Sequence, residues 1–239
     1  MSKMQRLIVK IIDLSHGIYD GFPVYPGLPP PRIKQVMNVK VHGANVESLS
    51  MTPHTGTHVD APYHAIEDGL RINEIELRRF IIKSTLLRIQ KRPGEEITKK
   101  DLEENSSIIK ADFGIVIDTG FWKLFPREPE TYFKKFPYFT SNSIDYLIDK
   151  GIKLLGVDTP AIDQYGTGMN IHKRLFKANV PLIECLTNLD ELSHGEEFLL
   201  ICLPLNLIGC SGAPARVIAI KDISKEDLKM LPHSKDHQY

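Results

Sequence analysis

No apolar run in these 239 residues reaches the ~18 needed to span a bilayer. A helical membrane anchor is therefore not expected. Nor is there an excess of either charge: thirty Lys and Arg balance thirty Asp and Glu. The chain has no global field with which to hold nucleic acid or an anionic membrane. Cysteine is scarce and odd in number, with Cys185, Cys202 and Cys210 only. That excludes a dense disulfide framework and fits a reducing, cytoplasmic setting, with Cys185 and Cys202 as buried thiols in apolar runs. No phosphate loop, nucleotide fingerprint, internal repeat or low-complexity tract occurs. The Gly-x-Ser-x-Gly elbow of serine hydrolases is also missing, since Gly209-Cys210-Ser211-Gly212 does not fit it. At the start, Lys10 cuts short the apolar Leu7-Ile8-Val9, and no small-residue cleavage site follows. A signal peptide is not expected. The chain is 42% hydrophobic and 25% charged, ordinary for a globular protein able to bury a sizeable core.

What is present is a dense run of metal-ligand types, Pro53-His54-Thr55-Gly56-Thr57-His58-Val59-Asp60-Ala61-Pro62-Tyr63-His64. Imidazole nitrogen and carboxylate oxygen suit Zn²⁺, and Mn²⁺ tolerates the same set. All four polar groups fall on even positions, as on one face of a strand. An ideal strand would nevertheless hold His54 and His58 roughly 13 Å apart, too far for two bonds of about 2 Å to one ion. A continuous helix would join His54 to His58 but swing Asp60 and His64 away. Gly56 permits unusual backbone angles, and the prolines discourage regular structure. The expectation is a bent turn on which His54, His58 and Asp60 converge, with His64 just outside the ligand set.

The pattern His-x-Gly-Thr-His-x-Asp-x-Pro-x-His resembles the signature of the cyclase-like metal-dependent hydrolases, which include bacterial kynurenine formamidases and isatin hydrolases. Asp13-Leu14-Ser15-His16, Pro23-Val24-Tyr25-Pro26-Gly27, Thr119-Gly120-Phe121-Trp122, the run from Asp158 to Asp163 and the turn from Gly209 to Arg216 are similar to that family too. The resemblance implies an α/β fold of the swivelling β/β/α type, one domain over residues 1–239, and a homodimer. It implies a catalytic role for His64 as proton shuttle. It also implies a second ion held by a histidine and a glutamate twelve residues apart, the spacing of His172 and Glu184, with Asp60 bridging the two ions. Tyr25 stands where kynurenine formamidases carry a substrate-contacting tryptophan, so it keeps an aromatic face but a smaller one.

Along the chain, strands are expected at 7–14, 32–41, 45–52, 80–89, 113–118, 153–157, 180–186, 198–205 and 217–220. They are apolar, often β-branched, and bounded by turn residues. Residues 21–31 are too rich in Gly and Pro for helix, and Phe22 and Tyr25 there could line a pocket. Short helices are expected from Thr98 as N-cap with Asp101 as the partner acid, from Ser141 or Asn142 to a stop at Gly151, and over 170–178 with His172 in the first turn. Glu184 lies in an apolar run, where a carboxylate is rarely buried without a partner and a cation is the simplest one. The plainer alternatives are a structural His172 and an exposed Glu184. His16 reads as a structural or capping histidine, Trp122 as core or pocket wall, and Arg216 as the partner of an internal acid. The polar tail, from about residue 225, reads as mobile.

The function expected is hydrolysis of an amide bond by a metal-activated water, on an N-formyl aryl amide such as N-formylkynurenine, an arylformamidase of tryptophan catabolism. A cyclic amide of the isatin type, or another small carbonyl compound, is the alternative substrate. A structural metal clamp in a binding protein is the alternative outside enzymes.

Overall fold

A computed structural model describes residues 10–221. The expected strand residues 7–9 and the tail lie outside the described residues. Twelve strands run in chain order: β1 (Lys10–Asp13), β2 (Arg32–Met37), β3 (Val46–Ser50), β4 (His58–Asp60), β5 (Ile81–Arg88), β6 (Glu96–Ile97), β7 (Gly114–Asp118), β8 (Tyr138–Phe139), β9 (Leu154–Val157), β10 (Leu182–Glu184), β11 (Glu197–Pro204) and β12 (Gly212–Lys221). Five short helices accompany them: α1 (Val39–His42), α2 (Lys99–Glu103), α3 (Pro129–Lys134), α4 (Ser141–Asp149) and α5 (Asn170–Lys177). The fold is mixed α/β, as expected.

The main sheet follows the order β1-β12-β11-β5-β7-β9-β10-β4, and β4 pairs again with β12. That second pairing closes seven strands into a barrel-like ring. β12 makes closure possible by its length. Its residues 215–220 pair with β11, and its first three, Gly212 to Pro214, pair with β4. Full closure leaves no exposed edge on these strands.

Alternation then sorts the side chains. Val59, Leu86, Val116, Leu154, Ile183, Leu200 and Val217, one from each strand of the ring, share one buried cluster and fill the interior. Leu87, Ile115, Ile117, Leu155 and Leu182 face outward into a second cluster with Leu102 of α2, Ile144 and Leu147 of α4 and Leu175 of α5. The parallel strands β5, β7, β9 and β10 are thus covered on both faces, which is why they read as continuous apolar runs. A third, aromatic cluster of Phe22, Phe121, Phe125, Tyr132, Phe133 and Phe136 packs around Cys185.

Among the differences from the sequence reading, two have a local cause and one a distant one. Residues 39–42 are a helical turn instead of strand, because Asn38 accepts a hydrogen bond from Lys40 N and Gly43 closes the turn at φ +78°. α4 is capped by Thr140, one residue earlier than Ser141, with its side chain accepting from Ser143 N. The final strand begins at Gly212 instead of Val217, because β4 offers its first residues an extra partner. The hairpin β2–β3 pairs only with itself and leaves Val36, Met37, Val39, Val41, Val46 and Leu49 exposed. The Thr98 cap and its Asp101 partner form as expected.

Gly212 tests the closure. A Cβ there would lie 2.5 Å from the Val59 carbonyl oxygen and 2.9 Å from His54 Cε1, so β4 and β12 would have to separate. Gly212→Ala is expected to cost about 1–3 kcal/mol of stability, read as a lowered midpoint in urea unfolding. An unchanged midpoint would mean that closure tolerates separation here.

Candidate metal centre

The two central groups are set by β4. Val59 points into the barrel, so His58 and Asp60 point outward. On the neighbouring antiparallel strand Leu182 lies opposite Asp60 and Glu184 opposite His58, which puts Glu184 on the same outward face. His54 is returned to that face by the bend through residues 53–57, where Gly56 takes φ +64°. His172 comes from the first turn of α5, packed over this face of the ring.

Two triads result, His54–His58–Asp60 and Asp60–His172–Glu184, and the ligand atoms within each lie within 4.8 Å of one another. Asp60 belongs to both. Its Oδ1 is 2.7 Å from His54 Nδ1 and 3.2 Å from His58 Nε2, and its Oδ2 is 3.5 Å from His172 Nε2. Glu184 Oε2 is 3.5 Å from His58 Nε2, and its Oε1 is 3.2 Å from His172 Nε2. Except for His54, which is part-buried, these side chains are buried. His64 stands beside the set, its ring 3.9 Å from that of His54 between centroids and its Nε2 4.0 Å from Asp60 Oδ2.

The residues fit a divalent ion. Asp60 Oδ2 is buried and accepts no hydrogen bond, a costly condition for a carboxylate unless a cation answers it. The donor set of imidazoles and carboxylates is the one such ions take. Burial alone would raise Asp60, but His64, His54 and His58 outweigh it and hold its carboxyl well below the usual range. Burial would lower His58 and His172, and the facing carboxylates reverse that, lifting both well above an ordinary histidine. Glu184 is raised, by burial first and by Asp60 next. His64 is different: burial dominates and lowers it to about 4.

A cavity of about 320 Å³ opens onto this cluster. Phe22, Tyr25, Phe125, Tyr132 and Phe133 form much of its wall, and Tyr25 lies 5.8 Å from Tyr165 between ring centroids. All the expected site residues therefore meet at one place. Trp122 instead packs against the barrel core, and Arg216 pairs with Asp13 at 2.6 Å. Two neighbours, Ser211 and Asp163, carried no expected role, and a third, His16, carried a different one. Ser211 Oγ lies 2.8 Å from His54 Nε2. Asp163 binds His172 Nδ1 at 2.5 Å. His16, read as structural, lines the cavity against Phe125. Each had a weak signal, its place in a run similar to the family: His16 in 13–16, Asp163 in 158–163 and Ser211 in 209–216.

Residues 12–164 match the Cyclase family model, described as "Putative cyclase". The kynurenine formamidase of Geobacillus thermodenitrificans is 30% identical over 210 residues, 86% of this chain and 94% of that protein. That of Bacillus cereus is 29% identical over 209 residues, 87% and 95% of the two. Isatin hydrolase A from Labrenzia aggregata superposes with a TM-score of 0.79 at 27% identity, covering 89% of this chain and 93% of that one. The solved structure of a potential metal-dependent hydrolase with cyclase activity superposes with a TM-score of 0.75 at 29% identity, covering 90% of this chain and 100% of that one.

His16 yields a pH test. Burial lowers it to about 4, and its Nε2 has no partner. The unfolded chain then takes up a proton below pH 6.5 that the folded chain refuses until about pH 4. Its contribution to stability is intact above pH 6.5 and declines as pH falls through that window, by at most about 3 kcal/mol. Unfolding curves of wild type and His16→Phe at pH 7.5 and 4.5 should show the variant losing about 2–3 kcal/mol less. Equal losses would show that His16 protonates freely in the folded state.

Proposed function

The chain belongs to the Cyclase family, and from that premise we propose a metal-dependent hydrolase of amide bonds acting on an N-formyl aryl amide such as N-formylkynurenine. The observation that carries this reading is the pair of triads that share Asp60 and whose other members, His54, His58, His172 and Glu184, line an aromatic-walled cavity. His54, His58 and Asp60 would hold one ion and Asp60, His172 and Glu184 a second, with Zn²⁺ the first candidate and Mn²⁺ the other. When bound, such an ion supplies a water acidified from 15.7 towards roughly 7 and polarises the carbonyl under attack.

The protein's own groups do the rest. Phe22, Tyr25, Phe125 and Phe133 enclose the aryl ring and exclude water. His64 is neutral at physiological pH because burial holds it at about 4, so its imidazole is free to accept a proton. It takes that proton from the attacking water and returns it to the amide nitrogen. A carbon–oxygen bond forms, the carbon–nitrogen bond breaks, and formate and an aryl amine leave. A positioned group of this kind contributes about 10²–10⁴-fold.

A cyclic amide of the isatin type is the second substrate reading, favoured by the likeness to isatin hydrolase A and by the modest size of Tyr25. A structural metal clamp fits less well. Structural sites are closed, whereas this cluster opens on a cavity and keeps His64 outside both triads. The exposed apolar hairpin β2–β3 supports the expected homodimer, since a lone two-stranded hairpin is marginal in water. Three free cysteines agree with a cytoplasmic setting. Among the described residues no helix is long and apolar enough to cross a membrane.

Purified protein assayed with N-formylkynurenine and with isatin, with and without chelator, tests the reading directly. His64→Ala is expected to retain its metal and lose 10²–10⁴-fold in turnover, whereas Asp60→Ala should lose both ions. Near-normal turnover by His64→Ala would remove the proton shuttle, and metal bound without turnover of either amide would favour the clamp.

A further inference from the structure

We infer that Asp163 is the positioning residue that makes His172 a metal ligand, and that it ties the loop walling the cavity to the second ion position; this rests on the two-ion reading above. The Asp163 carboxylate accepts three hydrogen bonds. Its Oδ1 takes Ile171 N at 2.7 Å, and its Oδ2 takes His172 N at 3.0 Å and His172 Nδ1 at 2.5 Å. Two of these cap the first turn of α5, a place where Met169 as N-cap supplies no side-chain bond. The third fixes the ring. With Nδ1–H committed to Asp163, the only nitrogen that can present a lone pair is Nε2, which faces Asp60 and Glu184. His172 is buried, and Asp163 supplies the side-chain acceptor at its Nδ1.

The same device acts on His58, whose Nδ1 lies 2.8 Å from the Gly56 carbonyl oxygen. There the acceptor is backbone and no substitution removes it. At His172 it is a side chain, and one borne on a loop whose Pro160, Ala161, Gly166 and Met169 line the cavity. Carboxylates placed behind a ligating histidine set its tautomer and raise its basicity, and losing one typically costs 10–100-fold in metal affinity.

Asp163→Asn separates this role from capping. The amide oxygen can still cap α5 by accepting from Ile171 N, but an amide nitrogen in the place of Oδ2 is a donor that gives up the His172 N bond and, toward Nδ1, would favour the Nε2–H form that cannot bind an ion. Wild type and variant would be equilibrated with buffered Zn²⁺, bound zinc counted by elemental analysis, and metal-free unfolding midpoints compared. The expected result is two ions on wild type and one on Asp163→Asn at a free Zn²⁺ that saturates wild type, with the second recovered at 10–100-fold higher free Zn²⁺ and similar metal-free midpoints. A variant that binds both ions like wild type overturns the inference alone. Loss of both ions together with a lowered midpoint also overturns it, showing a role in the fold only. Wild type saturating at one ion or none overturns the two-ion reading and this inference with it.

Discussion

One carboxylate, Asp60, governs the arrangement. It is wholly buried and ionised, and one of its oxygens accepts no hydrogen bond from the protein. Such a group is expensive to bury, and the expense is tolerated only where positive charge gathers around it. Four imidazoles ring it, His54 and His58 toward Oδ1 and His64 and His172 toward Oδ2, and of these His58 and His172 are lifted well above an ordinary histidine. The protonated forms of His58 and His172 favoured by this cluster occupy the places that a divalent cation can take, and binding an ion there must release protons.

Barrel closure is what holds Asp60 in position. A three-residue strand could not be fixed by one neighbour. β4 has two, β10 and β12, and both pair at Asp60 itself, through Leu182 and Gly212. Because side chains alternate, putting Val59 into the barrel core forces His58 and Asp60 outward, and putting Ile183 there forces Glu184 to the same side. A slip of one residue in either strand would turn carboxylates into the core and isoleucine or valine into the site, so core packing and site geometry enforce one register.

Much of this could be read from residue order. Three metal-ligand residues around a glycine point to a bend, and the bend at Gly56 is where the chain turns. Glu184 within an apolar run signals a buried carboxylate with a partner, and the run is a strand of the barrel. What could not be read was anything set by distant pairing. The early start of β12 depends on β4, some 150 residues away, and no pattern in 212–216 announces it. Ser211 meets His54 across a separation of 157 residues. Asp163 lies only nine residues from His172, yet its bonds exist because the loop folds back on the helix start. The helical turn at 39–42 was missed for the opposite reason. Val39 and Val41 favour strand, but the local side-chain cap at Asn38 and the glycine at 43 prevailed.

The ring nitrogens then divide the histidines into kinds. His58 and His172 each have Nδ1 anchored, to the Gly56 carbonyl and to Asp163, and each presents Nε2 to two carboxylates. His54 is held from both sides, by Ser211 and Asp60. These three rings cannot reorient without breaking a hydrogen bond, buried for His58 and His172 and part-buried for His54. His64 has no such anchor. It ends a single turn of 3₁₀ helix, leans on the His54 ring, keeps its distance from Asp60 and is driven neutral by burial among the other imidazoles. On the proposed reading the anchored rings would be ligands, which need a fixed lone pair, and His64 would be the proton carrier, which needs an imidazole able to gain and lose its charge within reach of the reacting atoms. Both kinds come from one run of eleven residues because the bend after His54 and the turn after Asp60 give the last histidine a backbone direction of its own.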